Sequence, residues 1–499
     1  MTEQEGSGTD TGSTDTGSAP ASGEGGVSEV ERFFVTDRNV GWLVGSMTLT
    51  ATQISGGTLV GAVGLHYIFG VSFAAVWPGI WLGWLFSMYY VAPQMRRFGG
   101  VTVPEYLAAR FDCDGRGGAR VLALTSGLVA FVYLFFTAAQ YVAVGVLAET
   151  VLGVPRVYGM VGVMAVTLAY TAAGGMRASI ATDVVLMVVV VVGLVVAAVV
   201  SLESVGGPRS LRAEVVSLDP SLLGLGMPLD ELVGFALAFG LAMAVAPYQI
   251  SRVYAMSDEE AVRSGIKGSI AVQSVIAVCI AVVGLVAAVS FPDLANADAA
   301  MAEIVVSVLG PFGGWLLGLA VVAAIVSTLD SVLLVSASSV AYDLYLGVFR
   351  GEVGTSGKGG ASDGVQPMRA GTASAEDAEG GDRPRTMLVA RASTVAAGVF
   401  PLFVALQPGI VGELVQIILM LFASLIAGML FRSFGDRRPL GACDDGRRHR
   451  GRHHRFSSSF SSGTSSGRCT TPCRVFSVAF RRLLRVSSVR GSPSWGSPL

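Results

Sequence analysis

Between Thr50 and Thr58 the chain reads Thr-Ala-Thr-Gln-Ile-Ser-Gly-Gly-Thr, a polar run with adjacent glycines inside an otherwise apolar stretch. Gly56 and Gly57 serve a continuous helix poorly, and Gln53 is costly in lipid without a polar partner. A break here would free backbone carbonyls, which survive inside a membrane only where protein or a cavity supplies partners. The competing reading is a seam of small residues packed on a neighbouring helix. A second polar run, Ser327-Thr328-Leu329-Asp330-Ser331, sits in another apolar stretch. Ser327, Asp330 and Ser331 fall on one helical face at i, i+3 and i+4, and an ionisable residue in a membrane span marks a functional site by default. Hydroxyl and carbonyl oxygens suit a hard monovalent cation. Alone, such hydroxyls would only bond back to their own helix; the pair becomes informative in combination with the break. A third interruption, Pro247 in Ala244-Val245-Ala246-Pro247-Tyr248-Gln249, removes a backbone donor.

The elements that must hold these residues are membrane helices. The chain has 499 residues, is 52% hydrophobic and only 14% charged, against roughly a quarter charged for a soluble domain. Mean hydropathy is +0.62, and apolar runs of about 20 residues, the length that crosses a bilayer core, recur throughout. The pattern predicts an all-α polytopic membrane protein with ten spans, at about 41–64, 71–93, 119–148, 157–173, 180–203, 230–250, 268–290, 313–341, 387–406 and 410–431. The first and sixth carry the interruptions, so each opens a group of five. Corresponding interruptions in two halves point to a midplane binding site in an inverted-repeat transporter. Arginines set the orientation: Arg96, Arg97, Arg110, Arg116 and Arg120, Arg177, and Arg252, Arg263 and Lys267 occupy alternate loops, which are therefore expected in the cytoplasm. Short helices are expected from Pro104-Glu105-Tyr106-Leu107 and over 298–309.

The remaining sequence divides into a polar N-terminal segment at 1–32 expected to be disordered, a core at 33–431 and an Arg/Ser-rich segment at 432–499 expected to be unstructured or out-of-frame. The repeats cover about 41–203 and 230–431, and a Gly/Ala/Ser/Asp stretch at about 351–385 is expected to lack structure. Formal net charge is −2, yet 432–499 holds 14 Arg and 3 Asp, which leaves the rest strongly acidic. Three readings of that basic segment stand: lipid headgroup binding, metal binding through His449, His453, Cys469 and Cys473, or out-of-frame sequence. Neither a disulfide framework nor a cleavable signal peptide is evident.

In order and spacing, several stretches resemble the sodium:solute symporters, the group that includes proline, pantothenate and sugar transporters. They are Phe33-Phe34-Val35-Thr36-Asp37-Arg38; Val103-Pro104-Glu105-Tyr106-Leu107 with Arg110-Phe111; and Tyr170-Thr171 through Gly174-Gly175-Met176 to Thr182-Asp183. Ala246-Pro247 with Arg252, and Ser327-Thr328 through Asp343-Leu344-Tyr345, complete the set. The resemblance implies a LeuT-type five-plus-five inverted-repeat bundle that carries a small organic solute with sodium across the cell membrane. It implies a sodium site on the carbonyls of Ala51, Ile54 and Ala324 and the side-chain oxygens of Ser327 and Thr328. Solute would lie near Gln53, Ser55, Gly56, Gly57, Tyr248 and Gln249. Asp183 matches an acid linked to ion coupling, a role assigned here to Asp330 as well; a helix cap is the other reading of Asp183. Gln53 stands where some relatives carry Asp, so neither stoichiometry nor substrate transfers. No covalent chemistry is implied, and no cofactor beyond sodium as coupling ion. The expected partners are solute, sodium and membrane lipid, with no nucleic acid and no obligate protein partner. Family members usually have another helix before the first span here and more after the last. The alternatives to transport are a non-transporting receptor with the same fold and an inactive truncated symporter.

Overall fold

The computed structural model describes residues 29–111, 116–224, 226–294, 296–350 and 383–407. The expectations for the N-terminal segment up to residue 28, for 351–382, for the tenth span at 410–431 and for the basic C-terminal segment lie outside the described residues. Among the described residues fifteen α-helices follow in order, the first eight being α1 Glu29–Val35, α2 Trp42–Gln53, α3 Ala62–Phe69, α4 Val76–Phe86, α5 Ala92–Phe98, α6 Val103–Phe111, α7 Arg116–Leu152 and α8 Arg156–Ser204. The second half holds α9 Pro208–Leu218, α10 Leu229–Val245, α11 Pro247–Ala255, α12 Glu259–Ser290, α13 Ala300–Glu303, α14 Gly310–Ser338 and α15 Arg383–Ala405. Helical turns at 57–61 and 87–91 join neighbouring helices, and another carries α14 on to Phe349.

Among the described residues, seven helical stretches are long and apolar enough to cross a membrane. Two of them are too long for one crossing. Arg156–Ser204 has 49 residues and Gly57–Phe98 has 42, about 74 and 63 Å of helix against a bilayer core of about 30 Å. Both turn back at a glycine in a conformation L side chains avoid: Gly175 (φ 57°, ψ −145°) inside α8 and Gly70 (φ 59°, ψ −138°) after α3. A Cβ on Gly175 would stand 2.3 Å from the Phe33 carbonyl oxygen, and one on Gly70 only 2.0 Å from that of Leu222. The bend at Gly175 separates the spans expected at 157–173 and 180–203. Nine of the ten expected spans thus lie among the described residues.

The interruptions sit where the sequence places them. Helix α2 stops at Gln53, Ile54 is extended (φ −78°, ψ 103°), and helix resumes through Gly57–Gly61 into α3. Ala246 is extended (φ −58°, ψ 123°) between α10 and α11, with Pro247 starting the new helix. Pro suits that first position because its missing N–H would have no partner there.

Helix α14 is the hub. Within its apolar window 89% is buried, against 28–56% for the other spans, so it is enclosed on all sides. By contrast α8 turns Val185, Val188, Val192 and Val199 outward, the apolar face a lipid-facing helix needs. Helices α4 and α10 cross on small residues: a Cβ at Gly83 would stand 2.0 Å from the Gly240 carbonyl oxygen. Such close backbone approach drives helix association in lipid. Gly83→Ala is expected to push the two apart, costing about 1–3 kcal/mol and lowering the thermal midpoint of the purified protein; an unchanged midpoint would show that the crossing has slack.

Loops expected in the cytoplasm converge at one end of the bundle. Arg97 pairs with Glu259 at 2.6 Å, Arg96 donates to the Ser257 carbonyl at 2.7 Å, and Arg38 to that of Gly100 at 3.1 Å. Helix α1 lies there too, burying Val30, Phe33, Phe34 and Val35; its first residues, Glu29–Arg32, are helical where disorder was expected up to residue 32, because Val30 joins the apolar side that packs inward. Thr36 and Arg38 leave α1 with positive φ (59° and 56°). Pro104-Glu105-Tyr106-Leu107 forms the start of α6 as expected. Glu105 is enclosed, with Oε2 accepting from the Val101 amide at 2.7 Å, and burial pushes its carboxyl from 4.5 up to about 7. A group whose folded pKa is raised favours the fold most below its unfolded pKa and loses that contribution as pH rises to the folded value. The thermal midpoint is therefore expected to fall between about pH 4.5 and 7, and Glu105→Gln to flatten that slope. An identical slope in the variant would assign the pH dependence elsewhere.

Candidate ion and solute site at the helix break

Where α2 ends, its last carbonyls lose their helical donors and face α14. Thr328 Oγ1 lies 3.4 Å from the Ala51 oxygen, 3.5 Å from Thr52, 3.1 Å from Ile54 and 3.1 Å from Ala324. Ser327 Oγ lies 3.1 Å from Ala51 and 3.0 Å from Ala324. All five residues expected at the ion site are thus together and fully buried. Two hydroxyl protons meet four carbonyl oxygens, an acceptor-rich nest. A hard cation at such a point would satisfy carbonyls that two protons cannot. The Thr52 carbonyl joins the set and was not expected.

On the other side of the break the polar side chains form a network. Gln53 Oε1 accepts from Trp84 Nε1 and from Gln273 Nε2, both at 2.7 Å. Gln273 continues to Ser269 at 3.0 Å, and Ser269 to Thr50 at 2.9 Å. The Gly56 amide donates to Gln140 Oε1 at 3.1 Å, and Thr52 contacts Gln249 Oε1 at 3.0 Å. Tyr248 stacks on Phe136 (6.3 Å, 18°) and meets Tyr133 edge-on (5.8 Å, 68°). Gly57 is exposed, and a Cβ there would meet nothing closer than Ser55 Oγ at 3.6 Å. The Ser55 hydroxyl accepts from the Thr58 amide at 3.3 Å, so it caps the resumed helix. Trp84, Gln140 and Gln273 were not singled out from the sequence. The two glutamines carried a usable signal, each a polar residue in an apolar span; Trp84 carried none that set it apart from Trp77 and Trp81.

A charged cluster adjoins the ion-site residues. Arg252 of α11 reaches Asp183 of α8 at 3.4 Å and Asp330 of α14 at 3.5 Å, all three side chains fully buried. Its Nη2 also donates to Ser179 at 2.5 Å and Ser331 at 2.6 Å, and Nη1 contacts Met176. Thr48 donates to Asp183 at 2.5 Å and Tyr170 to Asp330 at 2.9 Å. Ser331 in turn donates to the Ser327 carbonyl at 2.9 Å, so a bonded path runs from Arg252 to the main chain of Ser327. The cap reading of Asp183 fails: the second half of α8 begins at the Gly175 bend, well before Asp183, whose carboxylate faces Thr48 and Arg252 instead of a helix N-terminus.

Known proteins repeat this arrangement of elements. The family model "Sodium:solute symporter family" matches residues 33–356. The sodium/pantothenate symporter of Escherichia coli (strain K12) is 29% identical over 64% of this chain and 67% of its own length. The high-affinity proline transporter PutP of Bacillus subtilis (strain 168) is 28% identical over 65% and 70%. Among solved structures, a substrate-bound, outward-open Na+-coupled sialic acid symporter superposes with TM-score 0.64 at 17% identity, covering 81% of each chain. Mhp1, a nucleobase-cation-symport-1 family transporter, gives 0.51 over 81% of this chain and 78% of its own. The fold is LeuT-type, and the chain is a multi-pass membrane protein that belongs to the sodium:solute symporter family.

Proposed function

We propose that the chain moves a small organic solute together with sodium, the ion held between α2 and α14 by the carbonyl oxygens of Ala51, Ile54 and Ala324 and the hydroxyls of Ser327 and Thr328. The observation that carries this reading is the convergence of those two hydroxyls on carbonyls released by the break. Bound there, sodium fastens the broken helix to the buried hub and so favours one arrangement of the solute chamber. Solute lodges beside the break, near Gln53, Gly56, Gly57, Tyr248 and Gln249, while Ser55 acts on the chamber through its cap. Asp183 and Asp330 hold Arg252, and through it the half-helix that carries Tyr248 and Gln249, against the ion helix. A ligand that favours one state raises the affinity of the other, by the same factor in both directions. Pantothenate and L-proline, the solutes named for relatives, are the first probes. Uptake of either into proteoliposomes is expected only with inward sodium, and equal uptake without sodium would sink the coupling.

A further inference from the structure

Four glutamine side chains surround the break, and the orientation of three is forced. Trp84 Nε1 can only donate, so the Gln53 atom it meets at 2.7 Å is the oxygen. Gln273, at 2.7 Å from that same oxygen, must present its nitrogen. Both lone pairs of Gln53 Oε1 are then used, and the Gln53 NH2 group makes no bond among the described residues. Gln140 is fixed likewise: a backbone amide, Gly56 N, can only donate, so Oε1 faces it at 3.1 Å and NH2 is left over. Gln249 is not forced. Its partner Thr52 has one hydroxyl proton and two acceptors in reach, Gln249 Oε1 at 3.0 Å and the Leu49 carbonyl at 2.9 Å. Gln273 Oε1 is enclosed without a partner. Among the described residues no carboxylate bonds to any of these glutamines, and Asp183 and Asp330 are turned onto Arg252.

We propose that Trp84, Gln273 and the Gly56 amide are specificity-determining positioning groups: by locking the oxygens of Gln53 and Gln140 they leave N–H donors for the solute, and so select one that presents a carboxylate to the break. The inference rests on the reading that solute lodges there. A carboxylate entering a buried site needs donors to replace water, and hydrogen bonds to a charged group are the strong ones. An ammonium would meet N–H groups of its own sign of partial charge, with no carboxylate to balance it. Neither Trp84 nor Gln273 needs to touch the solute for this selection to hold.

The test uses the purified full-length chain in lipid nanodiscs and two matched pairs, L-proline with L-prolinamide and pantothenate with its alcohol pantothenol. Binding is read as a thermal shift, with and without sodium. At least one acid is expected to bind about tenfold or more tightly than its neutral-headed partner, the worth of one hydrogen bond to a charged group. A panel in which neither acid outbinds its partner overturns the proposal. The variant Trp84→Phe/Gln273→Glu removes one donor and turns the other into an acceptor, so Gln53 should rotate and offer its oxygen to the solute. Selectivity is then expected to move toward the partner without the carboxylate, whereas a variant that keeps the acid preference refutes the locking role. A merely structural role would weaken both members of a pair alike. Acid preference that needs no sodium would overturn the transport reading and leave this one standing; sodium-dependent binding without acid preference would do the reverse.

Discussion

Ser327→Ala/Thr328→Ala is expected to raise the sodium concentration for half-maximal uptake by about 10–100-fold. Each hydroxyl lies within 3.1 Å of carbonyls at the end of α2 or on α14, and a hydrogen bond or ligand contact involving a charge is worth about 1.5–3 kcal/mol, roughly one to two powers of ten. Because Thr328 alone touches four carbonyls and Ser327 two, Thr328→Ala should carry the larger share. The loss should appear in sodium dependence before it appears in folding, since both substitutions leave a small residue in an apolar helix. Flux measured against sodium in proteoliposomes checks this. An unchanged half-maximal concentration would place the ion elsewhere.

Arg252→Gln should damage the fold itself. Removing the guanidinium leaves Asp183 and Asp330, both without solvent access, facing each other with no cation. Breaking a buried pair from one side costs about 3–5 kcal/mol, because the partner remains as an uncompensated charge. Here two partners remain, so the upper part of that range applies. Ser179, Ser331 and Met176 also lose their contact to the same side chain. The thermal midpoint should fall sharply and surface expression with it. Arg252→Gln/Asp183→Asn/Asp330→Asn should recover much of the stability, since the charges are then absent together, while transport stays impaired because α11 is no longer drawn to α14. Recovery of stability without the double Asn change would contradict this balance of charge.

Much of the architecture could be read before any coordinates, for a physical reason. Lipid demands about 20 apolar residues per crossing, and it penalises polar residues and helix breaks enough that the exceptions stand out. Gln53 with Gly56-Gly57, Pro247, and Asp330 beside Ser327 and Thr328 were visible on that ground. What the residues alone left open was which exceptions meet. The five residues implied for the ion site came from family resemblance, and only the structure brings their oxygens within reach of one another. Asp183 was ambiguous because a cap is defined by distance from a helix start, which the sequence put near 180 and the structure puts at the Gly175 bend. Trp84 was hidden for a different reason: its indole N–H matters only through Gln53, 31 residues away in sequence. Helix α1 was half-legible, since Phe33 and Phe34 belong to a matching stretch but nothing in it foretold their burial against the Gly175 bend.

If the break in α2 and the hydroxyl pair of α14 form a single sodium site, the chain binds sodium with no solute present. Equilibrium binding of radioactive sodium to the purified chain in nanodiscs tests it without reference to any solute. Saturable binding is predicted for the unmodified chain, lost at the same sodium concentration in Thr328→Ala and retained in Gln249→Ala, which leaves all five proposed ligands in place. Equal binding by the unmodified chain and Thr328→Ala would contradict it.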